Sequence, residues 1–212
     1  MLKTEEIELR LSLSVAPLHA VIRPMEFFTG LARSLRSKDP KEQSEFKAQY
    51  QKEFQRLLRI KVDFPKQGFG NTNTGNVGWV FFKNYAITSQ ILGIDRELLR
   101  LFLEILNNLN SKKEVAIEEH FKLCSQAFSI LREKYSDSRY SPTVHKILAH
   151  SSQILSFLKS TGLYSEQAQE AKNKEVRFLR LNRARKMSRV ANLTDIMRNM
   201  WAKSSYYLRS RM

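Results

Sequence analysis

From Leu18 to Leu158 the apolar residues of this chain recur three and four positions apart, the period of a helix with one face turned inward. Pro17 opens the first such run, through Leu18, Val21, Ile22, Met25, Phe28, Leu31 and Leu35. Pro40 opens the second, through Phe46, Tyr50, Phe54, Leu57, Leu58 and Ile60. A third runs from Trp79 to Leu92, and a fourth follows Asp95 with Leu98, Leu99, Leu101, Phe102, Ile105, Leu106 and Leu109. The fifth spans about Val115 to Tyr135 and carries Cys124 on its apolar side, where a small buried hydrophobe is expected in preference to a nucleophile. Ser141 and Pro142 cap and start the sixth, which Thr161 and Gly162 end. Only residues 1–15 alternate weakly, as a short strand or extended lead-in would. The expectation is an all-α fold of seven to nine helices.

The pattern changes at Ser165–Arg189, SEQAQEAKNKEVRFLRLNRARKMSR. The acids Glu166 and Glu170 come first. From Lys172 to Met212 there are then twelve Lys and Arg against Glu175 and Asp195, a net +10 out of the chain's +15. So local an excess, with a pI near 10, points to an anionic partner, nucleic acid first and an acidic membrane surface second. The lone Cys124 excludes an internal disulfide and a cysteine-rich zinc site within this chain. No run of about 18 apolar residues suggests a membrane span, and MLKTEEIELRL is too acidic for a signal peptide. The expected setting is intracellular, and nuclear if the partner is DNA.

Several clusters could carry chemistry. As one helix, Arg177, Arg180, Arg183, Lys186 and Arg189 step back about 60° at a time, so the row winds around the axis and could grip phosphates from more than one side. The plain alternative is a solvated, charged helix. Glu166 and Glu170 share a helix face; they suit either a metal ion or, more simply, a helix N-terminus. His145 and His150 have a spacing that zinc ligands use, yet stand about 140° apart on an ideal helix, so on spacing alone they read as structural histidines. FPKQGFGNTNTG, residues 64–75, is rich in turn formers, but without the lysine of a phosphate-binding loop it is expected to be a structured turn.

Taken together, SPTVHKILAH, SEQAQEAKNK with FLRLNRARKMSR, and LTDIMRNMWAKSSYYL resemble the C-terminal end of Transib transposases and of the related recombination-activating catalytic subunit of the V(D)J recombinase. APLHAVIRPMEFF and KVDFPKQGFGNTNTGN resemble that family's histidine-containing helical segment and its glycine–asparagine turn. The resemblance spans roughly residues 16–210. It implies a metal-dependent DDE DNA recombinase in which two aspartates and a final glutamate hold Mg²⁺ or Mn²⁺ on a ribonuclease-H-like core. The glutamate precedes an Asn-Lys pair, here Asn173-Lys174, and corresponds to Glu166 or Glu170. It also implies a zinc site to which His145 and His150 would contribute, together with a C-x-x-C.

No C-x-x-C is present, the counterparts of both aspartates are missing, and VGWVFF stands where the family usually has basic residues. The expected organisation is a helical, zinc-binding-like region over residues 1–160, followed by the glutamate-bearing helix and basic segment over 161–212, with the sheet missing. The expected function is a DNA-binding remnant or fragment of a cut-and-paste transposase, catalytically incomplete alone. Its DNA contacts would come from Lys172, Asn173, Lys174, Arg177, Arg180, Arg183, Arg185, Lys186 and Arg189. Its partners would be DNA and either a second copy or a full-length transposase, with no membrane. The competing expectations are the C-terminal part of an active enzyme completed by upstream aspartates, and a basic helical domain that binds a protein or, through Trp201, Tyr206 and Tyr207, a membrane surface.

Overall fold

A computed structural model describes residues 16–63, 73–136, 138–158 and 167–204. The lead-in 1–15, most of the glycine–asparagine turn, Glu166 and the tail tyrosines lie outside them. The described residues form nine helices and no strand, so the fold is all-α. The chain divides into two units, Met1–Ser165 and Glu166–Met212.

The described residues of the first unit form seven helices: α1 (Pro17–Arg36), α2 (Pro40–Leu58), α3 (Gly75–Lys83), α4 (Tyr85–Leu92), α5 (Arg96–Leu109), α6 (Ile117–Lys134) and α7 (Pro142–Leu158). Their starts are built by side chains that satisfy the free N–H groups of a first turn. Asp39 accepts from Lys41 N, Thr74 from Val77 N, Asp95 from Leu98 N and Ser141 from Val144 N. Helix α1 lies at the centre, packed on α2, α3, α5 and α7. Its inward residues Met25 and Phe28 are fully buried. Phe28 meets Phe102 edge-on at 4.8 Å and Phe82 at 6.1 Å, and Phe81 joins Phe82 to Phe54. Rings of this kind each remove a large apolar area from water, and this cluster anchors the core.

Glycine is required where α3 crosses α1. A Cβ on Gly78 would stand 2.6 Å from Val21 Cγ1, and one on Gly75 would stand 2.7 Å from Leu18 Cδ1. At Gly78 the Val21 carbonyl oxygen also lies 3.4 Å from that position, so the α1 backbone itself is close; at Gly75 the neighbour is the tip of the Leu18 side chain. The single apolar run from Trp79 to Leu92 is two helices, not one. At Asn84 the side-chain amide donates to Val80 O, and Thr88 Oγ1 donates to Phe81 O, so polar groups cover the carbonyls freed at the break. Asn73 closes the ends of segment 64–72: its Oδ1 accepts from Asp63 N and its Nδ2 donates to Asp63 O, both at 2.8 Å.

Candidate nucleic-acid interface

The second unit is a helical hairpin of α8 (Gln167–Asn182) and α9 (Arg189–Ser204). The continuous basic helix expected through Arg189 does not exist, because α8 ends at Asn182. Arg183 N and Ala184 N both donate to Leu179 O at 2.9 Å, which closes the last turn of α8. Ser188 Oγ accepts from Ala191 N and caps α9. Groups on α9 then hold the turn. Asp195 accepts from Arg185 N and pairs with its guanidinium at 2.9 Å, while Asn192 Nδ2 donates to Arg185 O. The Arg185 bonds keep the Asp195 carboxyl down at about pKa 2. At the open end Glu175 takes Lys203 at 2.6 Å and Lys172 at 3.1 Å, and these lysines hold its carboxyl below the usual range. The pairs 185–195 and 175–203 show that the helices run antiparallel.

Ion pairing sorts the basic residues. Lys172 and Arg185 are committed to carboxylates. Lys174, Arg177 and Arg180 are exposed on α8 with no ion pair to a described acid. At about 100° per residue they span some 120° of the helix, a single broad face. Asn173 is exposed on the same helix; Arg183 and Lys186 are exposed in the turn, and Arg189 is exposed at the first residue of α9. Glu170 lies in the first turns of α8, but its side chain is outside the described residues, as is Glu166 altogether. No active-site geometry is therefore stated for either glutamate.

His145 and His150, both on α7, bring their rings to 5.3 Å between centroids at 79°. Zinc takes four ligands. Among the described residues no group of three or more His, Cys, Asp or Glu gathers to hold a metal, so the pair fits half of such a site and not a whole one.

The histidine that sequence reasoning missed is His120, fully buried between α6 and α7. Asn108 Nδ2 lies 3.2 Å from its Nδ1 and Ser151 Oγ lies 2.7 Å from its Nε2; Ser151 in turn donates to Ile147 O. With Asn108 donating, Nδ1 accepts and Nε2–H donates, which is the neutral ring. Burial accordingly lowers its pKa to about 4. Cys124 Sγ sits 3.6 Å from the same Nε2, and burial pushes its thiol up to about 11. A reactive cysteine needs access and a lowered pKa; this one has neither, so the group is a packed polar link between helices. The cue in the sequence was the four-residue step from His120 to Cys124 on one helix face.

A scan of protein-family models and a search of curated proteins each found no match to the chain. No described helix is long and apolar enough to cross a membrane.

Proposed function

We propose that this protein is a DNA-binding protein derived from a Transib-type cut-and-paste transposase, acting in the nucleus and catalytically incomplete by itself. One observation carries the DNA-binding reading: Lys174, Arg177 and Arg180 stand together on the solvent side of α8 with no ion pair to a described carboxylate. Elsewhere in the hairpin Asp195 and Glu175 take up Arg185, Lys172 and Lys203. Cations left unpaired on one helix face suit a row of phosphates, whose binding releases condensed counterions. Arg183, Lys186 and Arg189 extend the positive field around the turn.

The transposase ancestry rests on the resemblance of the quoted motifs, which supply a glutamate and no counterpart of the two aspartates. Mg²⁺ or Mn²⁺ chemistry would need those aspartates from outside these 212 residues, and a zinc ion on His145 and His150 would need two further ligands. Charge reversal at Arg177, Arg180 and Arg183 tests the reading: affinity for a labelled DNA duplex at low salt should collapse. Unchanged affinity would refute it. Strand cleavage by this chain alone with Mg²⁺ or Mn²⁺ should be absent, and a cut product would overturn the claim of incompleteness.

A further inference from the structure

The hairpin buries little of its apolar surface. Its described core is Leu179, Ala184 and Ile196, flanked by Val176 and Met200. Four large apolar side chains of α9 remain in solvent: Val190 at 75% exposure, Leu193 at 50%, Met197 at 67% and Trp201 at 78%. Their spacings of three, four and four put them within about 80° of one another on the helix, in one row. In the antiparallel hairpin this row borders the side of α8 that carries Asn173 and Arg180, with Lys172 between. The register is confirmed by a shallow cleft of about 390 Å³ lined by Lys172, Met197, Met200 and Trp201. One face of the hairpin thus sets Asn173 and Arg180 of α8, with Lys172 between, beside an apolar row on α9 that ends in an indole.

Resting on the DNA-binding reading above, we infer that this face binds single-stranded nucleic acid, with bases laid on the α9 row and phosphates on that side of α8. Base faces stack on aromatic and apolar side chains regardless of sequence, while the backbone follows a positive groove. Trp201 offers the stacking surface, and Met197 and Met200 form the polarizable floor of the cleft. Lys172 stands at its rim, bonded to a Glu175 that Lys203 also holds, so Glu175 keeps a cationic partner when Lys172 turns to a phosphate. A duplex hides its base faces and has no use for the α9 row. A second copy would bring two strongly basic hairpins together. A bilayer surface gains nothing from the cleft.

The test is fluorescence anisotropy of the full chain with a labelled oligothymidylate strand and, separately, a labelled duplex. Trp201→Ala should weaken strand binding roughly tenfold and leave duplex binding unchanged, and Trp201→Phe should restore most of the loss. Met197→Ser gives a second reading of the cleft if Trp201→Ala loses helical circular dichroism. If Trp201→Ala and Met197→Ser leave strand affinity intact while R177E/R180E weakens duplex binding, stacking is refuted and the DNA-binding reading stands. If R177E/R180E changes neither affinity, both fail. Phosphatidylserine vesicles that displace the strand and alone shift the Trp201 emission would assign the face to lipid and overturn the inference.

Discussion

The helical body and the terminal hairpin use the same kind of helix to opposite ends. In the body each helix turns its apolar side inward; α5 alone buries Leu98, Leu99, Leu101, Phe102, Ile105, Leu106 and Leu109. Some of its described surface charges are matched in local pairs, such as Arg56–Glu53 and Arg100–Glu97. Among the hairpin's described residues Leu179, Ala184 and Ile196 are buried, several other large apolar side chains face solvent, and polar bonds across the turn tie it together. The contrast is what the proposed function draws on: the body turns its apolar side chains inward, and the hairpin leaves a row of its own exposed.

The largest effect expected from this contrast is in the body. Phe102→Ala removes a ring that touches Phe28 and Phe82 and should cost about 3–5 kcal/mol in urea unfolding. A much smaller loss would mean that the aromatic cluster is not the anchor.

The next is pH. An unfolded histidine titrates near 6.5, while His120 in the folded body does so at about 4. Between those values the unfolded chain holds the extra proton. Body stability should therefore be full above about pH 6.5, fall by up to about 3 kcal/mol as pH drops towards 4, and level off below it. His120→Gln, which removes the titration, should flatten that slope; an unaltered slope would assign it to other groups.

A smaller effect belongs to the hairpin. Asp195→Ala unties Arg185 and the turn, so helical signal should melt earlier while the freed guanidinium strengthens duplex binding at low salt. The Asp195 contribution is present above about pH 4 and lost as pH falls through about 2, because its folded pKa lies below the usual carboxylate value. Weaker duplex binding by Asp195→Ala would show that the braced turn matters more than one additional cation.

The sequence was informative where periodicity and caps act locally. Pro17, Pro40, Asp95 and Ser141–Pro142 marked four helix starts, and the apolar period marked their inward faces. Breaks set by distant partners were hidden. Asn182–Ser188 holds no Gly or Pro, and what favours the turn is Asp195 and Asn192, ten and seven residues beyond Arg185. The same distance effect concealed His120, whose partner Ser151 lies on another helix 31 positions away. Among the basic residues, sequence gave the total charge but not which cations Glu175 and Asp195 neutralise.

The central claim is that nucleic-acid affinity resides in the unpaired cations of α8. It is tested most directly by the slope of log affinity against log salt for duplex binding, wild type against a Lys174→Ala, Arg177→Ala, Arg180→Ala chain. Each lost phosphate contact should flatten the slope by about 0.9, so the triple variant should fall short of wild type by roughly 2 to 3. Equal slopes for the two proteins would place the contacts elsewhere and contradict the account.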